Sequence, residues 1–98
     1  MQLVVLLGAE LDIQVAFNRF EEYREGFGLK FLQELELAYE YLRRHPRIGR
    51  LYADNRRRFL VPNFPFGIFY SVEGNRILIS AVLDLRQDPE RIRERLEE

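Results

Sequence analysis

The sequence predicts an α+β fold: an N-terminal strand, an antiparallel α-hairpin packed on a small, mainly antiparallel twisted sheet, and a short C-terminal helix. Three observations carry this. Apolar residues recur at helical spacing from about residue 9 to residue 44, then alternate with period two from 57 to 83. A Glu73-Gly74-Asn75 turn splits two of the alternating runs. The chain has 98 residues, enough for one domain, 1–98, and too few for a second core or for a cofactor-sized cavity inside the first.

Residues 2–7, with the Leu3-Val4-Val5-Leu6-Leu7 run, are apolar, β-branched in part and bounded by Gly8, so they read as a buried strand. From Ala9 the period changes to that of a helix running to about residue 25, with Leu11, Val15, Phe20 and Tyr23 as its stripe, widened by Ala16 and Phe17. Glu10 and Asp12 lie in its first turn, where the helix dipole favours anions. Gly26 ends it. After Phe27-Gly28, Leu29, Leu32, Leu35, Tyr39 and Leu42 mark a second helix, broadened by Phe31, Ala38 and Tyr41. Arg43 and Arg44 complement its C-terminal dipole, and Pro46 forbids continuation through His45. So short a connection makes the two helices an antiparallel hairpin.

Residues 47–55 read as a polar irregular loop punctuated by Gly49 and Asp54-Asn55. Three strands follow. The first is Arg57 to Val61, closed by Pro62 and Pro65. In the second, Phe66, Ile68, Tyr70 and Val72 alternate with Gly67, Phe69 and Ser71. The third is Ile77 to Leu83, after a hairpin in which Gly-Asn supplies positive φ. Asp88-Pro89-Glu90 then starts a helix with Asp as N-cap and Pro at N1, and Ile92 and Leu96 form its narrow apolar stripe. The element order is βααβββ(α).

Composition narrows the function. There is no cysteine, which removes disulfides, zinc ribbons, iron–sulfur clusters and thiol nucleophiles. No apolar run is long enough to cross a bilayer and no basic leader precedes the first strand, so a cytoplasmic protein without a membrane partner is expected. The net charge of −1 conceals a segregation: residues 43–58 hold seven arginines against one acid, while the flanking parts are acidic. Arg56-Arg57-Arg58 is the centre of that block. On a strand, Arg56 and Arg58 share a face and Arg57 projects from the other. With Arg43, Arg44, Arg47 and Arg50 they form either a cationic surface for phosphates or an acidic protein, or a solvated edge strand guarded by charge.

Other chemistry is poorly furnished. His45 stands at a helix end among bases and reads as a solvated residue rather than a general base. Ser71 and Ser80 lie on strands without a nucleophile elbow. Asp84 and Asp88 are the best pair for a metal, but Asp88 is already an N-cap, so neither a metal nor any other cofactor is expected. Gly26 and Gly28 belong to a turn between helices and not to a phosphate loop. The second helix carries apolar residues round more than half its circumference, a surplus that burial between the first helix and the sheet, or a partner, would absorb.

These residues resemble the RelE/ParE superfamily of bacterial type II toxin–antitoxin toxins over nearly the whole chain. The resemblance rests on Ala9 and Asp12, the Tyr23…Gly28-Leu29…Phe31-Leu32…Glu34-Leu35 run, His45-Pro46, and Arg58 to Leu60. It continues through Phe64-Pro65-Phe66-Gly67-Ile68-Phe69-Tyr70 and Val82-Leu83…Arg86…Asp88-Pro89 to Arg95. RelE-type members are ribosome-dependent mRNA endonucleases; Arg58 and Arg86 fall at basic positions of their site. Leu60 stands where a second lysine is expected, Gly67 where a key arginine sits, and Ile92 near the place of a tyrosine. The Phe-Pro-Phe strand and glycine-led second helix look more like the ParE branch, whose characterised members inhibit DNA gyrase by binding. The resemblance therefore implies a ParE-like toxin without catalysis, with Arg56, Arg57, Arg58 and Arg86 as target- or partner-binding residues. It also implies a cognate antitoxin whose flexible C-terminal segment orders as it wraps the toxin. The alternatives it leaves are a metal-independent endoribonuclease acting on ribosome-bound mRNA through Arg58 and Arg86, and a degenerate toxin that keeps only antitoxin binding.

Overall fold

A computed structural model describes residues 1–97 of the chain. The elements run β1 (Gln2–Val5), α1 (Leu7–Tyr23), α2 (Phe27–Arg44), β2 (Arg50–Ala53), β3 (Arg56–Leu60), β4 (Phe66–Glu73), β5 (Arg76–Asp84) and α3 (Pro89–Leu96). The five strands form one sheet in the order β1-β5-β4-β3-β2. β1 pairs with β5 in parallel, and the other three pairings are antiparallel.

The hairpin of α1 and α2 covers one face of the sheet and α3 the other. Alternation along β4 divides the cores: Ile68 and Tyr70 join Phe31, Leu35 and Leu42 of α2, while Phe69 joins Ile92 and Leu96 of α3. On β5 the alternation slips. Phe69 faces Ala81 but Tyr70 faces Ile79, so Ser80 is an extra, bulged residue, and its hydroxyl donates to the Phe69 carbonyl at 3.2 Å. The bulge keeps Ile77, Ile79 and Val82 in the hairpin-side core and Ala81 and Leu83 under α3.

Several sequence expectations are corrected. The polar loop of residues 47–55 contains β2, an exposed edge strand that pairs along one edge and buries none of its residues, so it shows no inward apolar pattern. The order is thus βααββββα. α1 starts two residues early, and its inward positions are Ala9, Ile13, Ala16 and Phe20, spaced four, three and four apart. Small residues at the contact bring the helix close to β5, so the larger Leu11, Val15 and Tyr23 of the expected stripe face outward at 59%, 54% and 79% exposure. In α2, Leu29, Leu37 and Tyr41 stay exposed while six other residues are buried. The β4–β5 turn needs positive φ only at Gly74 (63°), not at Asn75.

Two devices join the helices that spacing alone could not reveal. The Glu21 carboxylate accepts from the backbone N–H of Gly26 at 3.1 Å and of Gly28 at 3.0 Å, capping the start of α2 from the end of α1. At Gly28 a Cβ would lie 2.7 Å from the Phe17 ring, so only glycine permits this approach. α3 begins as its sequence predicts, with the Asp88 side chain accepting from Glu90 N–H at 2.9 Å and Pro89 in the first turn.

Tyr39 is a buried residue of α2 whose hydroxyl has no hydrogen-bond partner among the described residues. Burial, with Glu36 as the smaller cause, pushes that hydroxyl up to about 12. Native and unfolded chains both hold the proton below about pH 10; between 10 and 12 only the native chain keeps it. Its contribution to stability is therefore complete below pH 10 and falls by about 2 kcal/mol by pH 12. Tyr39→Phe is expected to raise stability near neutrality by about 1 kcal/mol and to flatten that alkaline decline, as read by urea unfolding at both pH values.

Candidate functional site

The arginine block does not form the continuous flank that the sequence suggested. β3 sends its three arginines to different tasks. Arg56 donates to the Leu96 carbonyl at 2.7 Å, closing the C-terminal end of α3 against the sheet. Arg57, on the hairpin side, donates to the carbonyls of Arg47 (3.0 Å) and Gly49 (2.9 Å). It thereby reinforces a clamp in which Gly49 N–H donates to the Tyr70 hydroxyl at 2.9 Å. Burial raises the Tyr70 hydroxyl above its ordinary value, opposed by that hydrogen bond and by the charge of Arg57. Arg56 and Arg57 are thus fold-holding residues as well as candidate contacts.

Arg58 faces the opposite side of the sheet, directly across from Arg50 of β2. Gly67, where the resemblance leads one to expect an arginine, has a structural reason to be small: a Cβ there would lie 3.2 Å from Arg58 Cγ and 3.1 Å from the Leu85 side chain. Ile92, near the expected tyrosine, is on the inward face of α3, buried against Phe69, Ala81 and Leu83.

Arg86 lies elsewhere, in the connection after β5. Its guanidinium grips both carboxylate oxygens of Asp84 at 3.1 and 2.8 Å. The Arg86 hydrogen bond holds the Asp84 carboxyl below the usual carboxylate range, and the same pair raises the Arg86 guanidinium. Asp84 and Asp88 each serve local structure, one on Arg86 and one as N-cap. Ser71 donates to Glu73 at 3.1 Å, and His45, the exposed C-cap of α2, rests its ring 4.7 Å from Tyr41.

Arg86 also borders a groove of about 650 Å³ between the C-terminal half of α1 and the ends of β4 and β5. Its apolar wall comprises Val15, Phe20, Tyr23, Phe27, Phe64 and Phe66, and Arg19, Asn63 and Gln87 are among its polar residues. The rings form one continuous cluster: Phe20 lies 5.7 Å from Phe27, 5.1 Å from Phe64 and 5.7 Å from Phe66, and Phe27 lies 5.7 Å from Tyr23. Sequence reasoning missed it because its walls come from three separated segments. The signal present was the concentration of phenylalanine around the Pro62 to Pro65 turn, which exceeds what a strand end needs. From the groove the exposed apolar track continues along α1 through Leu11 to Leu7, at one-turn intervals.

Asp12, at the edge of this groove, is the centre of a partly buried polar knot. Its carboxylate accepts from Val82 N–H and from Arg95, both at 3.0 Å, and Arg95 also donates to the Gly8 carbonyl at 3.1 Å. α1, β5 and α3 are tied together at this point. No group of three or more potential metal-ligating side chains occurs among the described residues, and no helix there is long and apolar enough to cross a membrane.

Comparisons with known proteins bear on the fold and the family. No curated protein matches the chain. The fold is similar to a solved structure described as the chromosomal ParDE TA system from P. aeruginosa. The TM-score is 0.78 at 19% identity, over 88% of this chain and 97% of that one. Residues 9–89 match the model of the family described as ParE toxin of type II toxin–antitoxin system, parDE. With most of its length inside that match, the chain belongs to the ParE toxin family of type II toxin–antitoxin systems.

Proposed function

We propose that this toxin arrests growth by binding a macromolecular target, DNA gyrase being the expected one, and that a cognate antitoxin neutralises it by docking in the α1 groove. The observation that carries this reading is the open, aromatic-walled groove continuous with the exposed Leu7, Leu11 and Val15 track. Contiguous apolar surface of this kind marks an interaction site. From Leu7 to Tyr23 the track spans about 24 Å at ~1.5 Å per residue, matching an amphipathic partner segment of four to five turns. The solved relative's description as a ParDE system supports a protein partner of this kind.

Binding rather than cleavage is favoured by what surrounds the basic candidates. Arg86 is paired with a carboxylate whose affinity for protons is lowered, which makes a poor general base, and Arg58 faces another arginine. Two guanidinium groups stabilise charge without moving a proton.

The test sets a gyrase supercoiling assay with purified protein beside primer extension on cellular mRNA after induction. Inhibited supercoiling without codon-specific cuts is the expected result, and Arg58→Glu is expected to relieve the arrest. Codon-specific cuts with intact supercoiling would replace this reading with a RelE-like endonuclease. Silence in both assays would leave a toxin reduced to antitoxin binding.

A further inference from the structure

β2 and β3 place two arginines directly opposite one another. Arg50 and Arg58 are cross-strand partners, so their side chains leave the same face of the sheet. Like charges in that position repel. Among the described residues the arginines with an ion-pair partner are Arg43, Arg86, Arg93 and Arg95, so this pair carries uncompensated positive charge.

A bulge adds an aromatic group to the pair. The register jumps between Leu51 and Ala53, leaving Tyr52 as the additional residue of β2. Bulges re-aim side chains. Here the Tyr52 and Phe69 rings lie nearly perpendicular, centroids 5.3 Å apart, and Phe69 is the β4 partner of Arg58. Tyr52 is thereby fixed on the Arg50/Arg58 face, with 37% of its surface exposed. Gly67 leaves the lane along which the Arg58 stem lies. Arg50, Leu51, Tyr52 and Arg58 together surround an open hollow of about 110 Å³.

We propose that this hollow is a non-catalytic contact for single-stranded nucleic acid: one phosphodiester held between the two guanidinium groups, with a neighbouring base on the exposed part of the Tyr52 ring. Guanidinium forks match phosphate oxygens, and a base of any identity stacks on an aromatic ring. An acidic peptide would satisfy the arginines and leave the anchored ring unused. A duplex keeps its bases stacked and unavailable to it. The site is separate from the α1 groove but shares Arg58 with the proposed target contact, and binding of a purified oligomer reads it without gyrase.

Fluorescence anisotropy of a short labelled oligothymidylate with the full chain tests this. Binding is expected to be salt-sensitive, to weaken about tenfold in Arg50→Gln and in Arg58→Gln, and to weaken about fivefold in Tyr52→Leu. Lys30→Gln removes the same unit of charge from α2 on the other side of the sheet and is expected to change binding by less than about twofold. Because the arginines repel, both Gln variants keep or raise the melting temperature, which separates lost binding from lost fold. Absence of oligomer binding overturns the inference. So does binding that ignores all three substitutions. A polyglutamate peptide that binds through Arg50 and Arg58 but is indifferent to Tyr52→Leu, while the oligomer fails to compete with it, assigns the hollow to acidic proteins instead and overturns it too.

Discussion

Val15→Arg is expected to weaken the complex with the cognate antitoxin by at least about 100-fold, measured by titration calorimetry or by the yield of co-purified complex. Val15 lines the groove and is 54% exposed, so its replacement removes little from the toxin's own core. Arginine is also a better helix former than valine. The effect falls on the partner. A long cation laid across an aromatic-walled cleft must be desolvated or must fill the space an apolar anchor would take, and central interface positions of this kind are worth about 2–4 kcal/mol, with 1.4 kcal/mol corresponding to tenfold. Val15→Leu, which keeps the apolar character, is expected to stay within about threefold of the parent. Undiminished affinity in Val15→Arg would remove the groove from the antitoxin contact and leave the exposed residues of α2 to account for it.

The largest effect on the fold is expected from Asp12→Ala, at about 3 kcal/mol of destabilisation. The carboxylate is 16% exposed and its partner Arg95 27%, so solvent screens the pair only in part. Its removal deprives Val82 N–H of its acceptor and leaves the Arg95 guanidinium half-buried beside the Gly8 carbonyl. Stability falls, and α3 loosens first, because Arg95 and the Arg56 bond to Leu96 are its polar ties to the body. Hydrogen exchange should show early loss of protection in residues 89–96, with Phe69, Ala81 and Leu83 exposed beneath. Asp12→Asn, which retains an acceptor, is expected to cost about 1 kcal/mol. Equal losses in the two variants would show that charge has no part in the tie.

How far these features were legible in the sequence depends on the range over which each is determined. α3 announces itself within three residues, Asp88-Pro89-Glu90, because an N-cap is local chemistry. The Glu73–Arg76 hairpin is equally local, a two-residue turn between alternating runs. β2 is not: none of its residues is buried, and it exists because β3 offers it a ladder. The inward face of α1 failed for a related reason. Hydrophobicity favoured Leu11 and Val15, but close approach to β5 selected Ala9 and Ala16, and helix-to-sheet distance is not written in a helix's own period.

The candidate site divides in the same way. The opposite projection of Arg57 from Arg56 and Arg58 followed from strand geometry alone. That Arg56 would close α3 and Arg57 would hold the 47–49 turn required partners ten and forty residues away in sequence. The aromatic groove draws on α1, the α2 entry and the 63–66 turn, and no single window contains enough of it to be seen.

The union of the two ends of the chain bears on how the toxin comes into being. β1 has no strand to pair with until residues 76–79 have been made, and the Asp12–Arg95 bond waits for residue 95. During synthesis the hairpin of α1 and α2 can form early, but the sheet cannot close before residues 76–84 have been made, since loop closure over such separations must be met before the contacts reward it. Until β5 has been made, the strand that carries Arg56, Arg57 and Arg58 and the far wall of the α1 groove therefore have no completed sheet to mount them.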